Sequence, residues 1–133
     1  MTQSALGEVV GKYLFERVLN LKLEEISDPE LFELFDYKVS SLPIYVDFKN
    51  WHETTVFNDE DMLNKIENKA TKCDCKCVFI INIVSEKEWA IHHKEQKGLT
   101  IVEIPSLLSG TASLGLNNQA WEEIRRCINE CSN

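Results

Sequence analysis

The stretch LFDYKVSSLPIYVDFKN, residues 34–50, decides how the chain is read. Its first part alternates, with Phe35, Tyr37 and Val39 on one side and Leu34, Asp36 and Lys38 on the other, which predicts a strand. SSLP, residues 40–43, makes a tight connection, and IYVDFKN, residues 44–50, is the next strand. Two strands joined so closely predict an antiparallel hairpin. Side chains two apart share a face, so Ile44, Val46 and Phe48 point one way and Tyr45, Asp47 and Lys49 the other. An acid and a base therefore sit side by side in a segment that otherwise reads as core. Asp36 lies eleven residues before Asp47, and pairing across the hairpin can bring the two together.

Working outward, residues 4–21 repeat apolar side chains every three or four positions (Leu6, Val9, Val10, Tyr13, Leu14, Val18, Leu21) and predict a helix. Ser27 or Asp28 caps a short turn with Pro29 at its first helical position. Residues 58–73 predict a helix capped by Asn58 or Asp59, with Met62, Leu63 and Ile66 on its apolar side. CVFIINIV, residues 77–84, is an apolar run of strand length, rich in β-branched residues, of the kind buried on both faces of a sheet. Residues 86–96 read as a helix stopped at Gly98, residues 99–105 as a strand ended by Pro105, residues 107–115 as a loop and residues 117–131 as a last helix. The expectation is an α/β fold, a mixed central sheet of about four strands flanked by helices, in the order αββ-α-βαβ-α.

The 133 residues fit a single domain, 1–133, which at this size buries about two-thirds of the surface of its unfolded chain. The abrupt ends suggest a domain excised from a larger protein. No apolar run approaches the roughly 20 residues that span a bilayer, and residues 1–13 lack the pattern of a secretory signal. Five cysteines without such a signal predict reduced thiols and a cytoplasmic protein. The net charge of −8 opposes unaided binding of nucleic acid, which rests on Lys and Arg.

Two carboxylates converging beside a sheet repel unless a cation neutralises them, and oxygen ligands suit Mg²⁺ (or Mn²⁺). With an adjacent ammonium, that set suits phosphodiester hydrolysis. Asp36, followed by an apolar strand carrying Asp47-Phe48-Lys49, resembles the PD-(D/E)XK nuclease superfamily in its D-x-K form. The element order resembles that restriction-endonuclease-like core, with the helix at 58–73 as an insertion. The proline usual before the first acid is absent, and Phe35 stands there.

The resemblance implies catalytic Glu8, Asp36, Asp47 and Lys49. The metal would be held by Glu8 on the first helix, Asp36, Asp47 and the carbonyl of Phe48, and Lys49 would position the attacking water. It also implies DNA as substrate and partner, brought by an additional domain or subunit of a helicase-like or restriction-like parent. The other expectation is an inactive domain of the same fold, serving to dock protein or nucleic acid.

Remaining features read more simply. Trp51 packs, and His52 and Glu53 form a polar strand exit. His92, His93, Lys94 and Gln96 lie on a solvated helix face, from which Lys94 or Gln96 could reach DNA. Cys73, Cys75 and Cys77 could share zinc with Cys127 and Cys131 if the two groups meet, although C-x-C is not the usual knuckle spacing.

Overall fold

The computed structural model describes residues 3–32, 34–49, 60–83, 91–96, 98–104, 106–108 and 116–132. The hairpin is present. Strand β2 (Tyr37–Val39) pairs antiparallel with β3 (Ile44–Lys49), Tyr37 opposite Val46 and Lys38 opposite Tyr45. The connection closes through Leu42 N–H to Val39 carbonyl, at 3.2 Å. Strand β1 (Leu23–Glu25) adds to the outer edge of β2, so three antiparallel strands form one half of the sheet.

The other half is mainly parallel. Strand β4 (Cys77–Asn82) runs parallel to β3, and β6 (Leu99–Ile104) runs parallel to β4. Strand β5 (His92–Gln96) closes the far edge antiparallel to β6. The sheet order is β1-β2-β3-β4-β6-β5.

Helices cover both faces. Helices α1 (Gln3–Leu19) and α4 (Asn118–Ser132) pack on one face through Phe15, Trp121, Ile124 and Ile128, against Ile44, Val46, Phe48, Phe79 and Ile81. The one-turn helix α2 (Pro29–Phe32) leads into β2. Helix α3 (Glu60–Lys72) packs on the other face through Leu63, Ile66 and Ala70, against Tyr45, Val78, Ile80, Leu99 and Ile101. All six residues of β4 are buried, as a central strand covered on both sides requires. Each large apolar side chain sealed there contributes about 1.5–3 kcal/mol.

Three expectations are corrected. The sheet has six strands, not four. β1 was invisible in the sequence because its residues LEE offer a single apolar side chain, Leu23; its N–H is held by the Glu16 carboxylate at 2.9 Å. The segment expected to be a helix through residue 96 is strand β5 over its described part. Gly98 there has φ 80°, a left-handed conformation that glycine adopts without strain, and it turns the chain back into β6. Hairpin pairing with β6 then overrides the helical propensity of Lys94, Glu95 and Gln96. The exposed Lys94 and Glu95 are the charges that natural edge strands carry against unwanted pairing. The order is therefore αβαββαβββα.

Candidate functional site

The site begins where the β2–β3 ladder ends. Asp36 N–H donates to the Val46 carbonyl at 3.0 Å, one residue before β2 begins, which ties Asp36 to β3 beside Asp47. The next inward-facing group on β3 is the Phe48 N–H. With β2 turning away, it donates instead to the Asp36 side chain, 2.7 Å from Oδ2. A carboxylate has taken the place of a ladder carbonyl, which fixes its rotamer at the strand end. In a strand, the N–H and C=O of one residue point to the same side, so the Phe48 carbonyl is directed toward this corner as well.

Glu8 reaches the corner because α1 lies close on β3. A Cβ on Gly11 would fall 2.4 Å from Phe48 Cδ1, so only glycine allows that approach. Phe15 completes the contact with an edge-on ring 6.3 Å from that of Phe48. Glu8, Gly11 and Phe15 are three and four residues apart and share a helix flank. Docking Gly11 and Phe15 on Phe48 therefore brings Glu8 to Asp36.

The three acids form a chain with Asp36 in the middle, hydrogen-bonded through its side chain to both Glu8 and Asp47. They do not close into a group whose ligand atoms all lie within 4.8 Å of one another. Burial, and then the charge of Asp47, push the Asp36 carboxyl up to about 7, against the opposing Phe48 N–H. Burial, then Asp36, raises Glu8. Tyr37 is raised by burial and by Glu8, Asp36, Glu25 and Glu16, so the field of the whole corner is negative.

Protons shared between crowded carboxylates are what a cation would replace. The donors are all oxygen, which suits a hard divalent ion such as Mg²⁺. Mg²⁺ commonly uses one or two carboxylates and keeps several waters, so the open chain of acids fits it.

Lys49 is the last residue of β3, paired with Asn82, but its side chain lies outside the described structure. Trp51, His52 and Glu53 lie outside the described residues. His92, His93, Lys94 and Gln96 are not on a helix; they lie on β5 at the far edge of the sheet, separated from β3 by β6 and β4.

Two polar residues near the site were not singled out from sequence. Asn82 and Glu103 are 3% and 2% exposed, among the few polar side chains buried in the described structure. Glu103 stands in one row with Asp47, through Ile80, and with His92 on β5. The available signal was a single polar residue inside each apolar run, CVFIINIV and LTIVEI.

The cysteines divide between the two faces. All five are free. Cys75 packs on the α3 face with Cys73 beside it, and burial pushes its thiol up to about 12. Cys77, Cys127 and Cys131 lie on the α4 face. Cys77 hydrogen-bonds with Cys131, which lowers the Cys131 thiol to about 7. No single cluster of five forms.

No helix among the described residues is long and apolar enough to cross a membrane. Compared with known proteins, the chain matches no family model and no curated sequence.

Proposed function

We propose that the chain is a metal-dependent nuclease domain that hydrolyses phosphodiester bonds in DNA, with a restriction-endonuclease-like core. What carries this reading is the meeting of Glu8, Asp36 and Asp47. Three acids from α1, the start of β2 and the end of β3 join at a point where the backbone itself, through Phe48 N–H, orients the middle one. An acidic patch formed by chance on a solvated surface has no reason to be tied in this way to a glycine-dependent helix contact.

Glu8, Asp36, Asp47 and the Phe48 carbonyl would hold Mg²⁺, which when bound neutralises charge on the scissile phosphate and polarises it toward attack. The chain's own residues do the rest. Asp36, anchored by Phe48, sets the position of its two neighbours. Lys49 follows on the same strand, and its ammonium orients the attacking water and stabilises charge on the transferring phosphoryl group. Hydrolysis forms one bond from the water oxygen to phosphorus and breaks one from phosphorus to a sugar oxygen, which leaves as the hydroxyl. With a charge of −8, the domain relies on another domain or subunit to hold the DNA.

Cleavage of plasmid and single-stranded DNA by Lys49→Ala tests this. The expected result is loss of cleavage with an unchanged circular-dichroism spectrum and melting curve. A folded Lys49→Ala protein that cuts as well as wild type overturns it.

A further inference from the structure

We propose that His93, Glu123 and Cys127 form a second metal site, for a borderline-soft divalent ion of the Zn²⁺ class, independent of the carboxylate corner. Glu123 and Cys127 are four residues apart and share one face of α4, and β5 brings His93 against them. His93 Nε2 is 3.0 Å from Glu123 Oε1, and Cys127 Sγ is 3.5 Å from the same oxygen. All three ligand atoms lie within 4.8 Å of one another. Tetrahedral zinc with its usual bond lengths separates its ligands by roughly 3.3–3.8 Å. The group therefore needs little movement to close on an ion.

The donor set names the ion. One nitrogen, one oxygen and one sulfur suit zinc rather than magnesium, and three protein ligands leave a fourth position open to water. His93 is exposed, so solvent reaches that position.

A single oxygen, Glu123 Oε1, faces His93, Cys127 and both Nε and Nη2 of Arg126. A carboxylate oxygen has two lone pairs, so four groups at one atom are more than it can serve. Arg126 occupies the place of a cation, and being half exposed it can leave. Binding releases the Cys127 proton to solvent as the sulfur–metal bond forms. The bound ion would tie edge strand β5 to α4.

Cys77 and Cys131 are the rival thiols. They line a neighbouring cavity of about 190 Å³ together with Cys127 and Lys76. Their mutual hydrogen bond occupies them with each other rather than with His93.

The test is titration of Co²⁺ into the reduced full chain, followed by the thiolate-to-cobalt charge-transfer band and the intense visible bands of a four-coordinate ion. One equivalent is expected to bind with the band present, in wild type and equally in Asp36→Asn. Affinity should fall at least tenfold in His93→Ala, whose exposed position leaves the fold intact; even outer partners of metal ligands act on that scale. The band should vanish in Cys127→Ser and persist in Cys131→Ser. No band in wild type overturns the proposal, as does a band that survives Cys127→Ser or is unchanged in His93→Ala. Loss of the band in Asp36→Asn shows that the ion sits at the carboxylate corner and overturns it too.

Discussion

The carboxylate corner and the His93–Glu123–Cys127 cluster are separated along one sheet by β4 and β6, and they are built differently. At the corner the backbone does the positioning: the Val46 carbonyl and the Phe48 N–H both hold Asp36, and Gly11 admits the helix that carries Glu8. At the cluster, side chains of an edge strand meet the face of a helix, and an arginine mediates among them. The first arrangement is rigid and crowded with like charge. The second runs from exposed His93 to buried Cys127, and Arg126 already neutralises it. A hard cation relieves the first, whereas a soft one must displace a partner in the second.

The contrast predicts unequal responses to change. Asp47→Ala should have the largest effect, lowering Mn²⁺ affinity by about a hundredfold or more, while leaving Co²⁺ binding at His93 intact; calorimetry on the two ions separates the sites. Equal loss at both would break the comparison.

Gly11→Ala comes next. The added methyl meets the Phe48 ring, and overpacking of this kind costs about 1–3 kcal/mol, partly offset by alanine's better helix propensity. The melting temperature should fall by several degrees, and Mn²⁺ affinity with it, because Glu8 is displaced from Asp36. Unchanged affinity would mean that Glu8 is not a ligand.

A pH series on chelated protein gives a smaller and graded effect. Asp36 in the folded state sits at about 7, against an ordinary 3.8. The folded chain therefore holds a proton that the unfolded chain has released. Its contribution to stability is fully present below about 4 and is lost as pH rises toward 7. Denaturant midpoints should decline across that window in wild type and stay flatter in Asp36→Asn. Saturating Mg²⁺ should remove most of the decline.

Arg126→Ala should barely move the melting temperature, since ion pairs this exposed contribute about 0–1 kcal/mol. It should nevertheless strengthen Co²⁺ binding, because a competing cation has gone. Weaker binding would sharpen the account differently, by making Arg126 a support for Glu123.

The two sites also differ in how far the sequence revealed them. Asp36 and Asp47 follow from features with short reach, alternation along β3 and a two-strand hairpin, whereas Glu8 entered only through the family resemblance. Strand β4 was equally plain, because burial on both faces writes a run that is apolar from Cys77 to Ile81. β5 was not, since helix-forming residues at a sheet edge take their conformation from β6 and from the turn at Gly98. With β5 read as a helix, His93 had no reason to meet Glu123 and Cys127, and the cysteines invited a cluster that the sheet itself divides. β1 escaped because Leu23 alone faces the core. Glu103 and Asn82 stood out only as polar interruptions, and their position in the sheet depends on the parallel register of β3, β4 and β6.

The most direct test of the central claim is calorimetric titration of Mn²⁺ into wild type, Asp36→Asn and Asp47→Ala, with cleavage of plasmid and single-stranded DNA measured on the same samples. Binding in wild type that is lost in both variants is expected, together with metal-dependent cleavage that is lost with it. A folded wild-type protein that neither binds Mn²⁺ nor cuts DNA would contradict it, and would leave the carboxylate corner as a proton-sharing element of the fold.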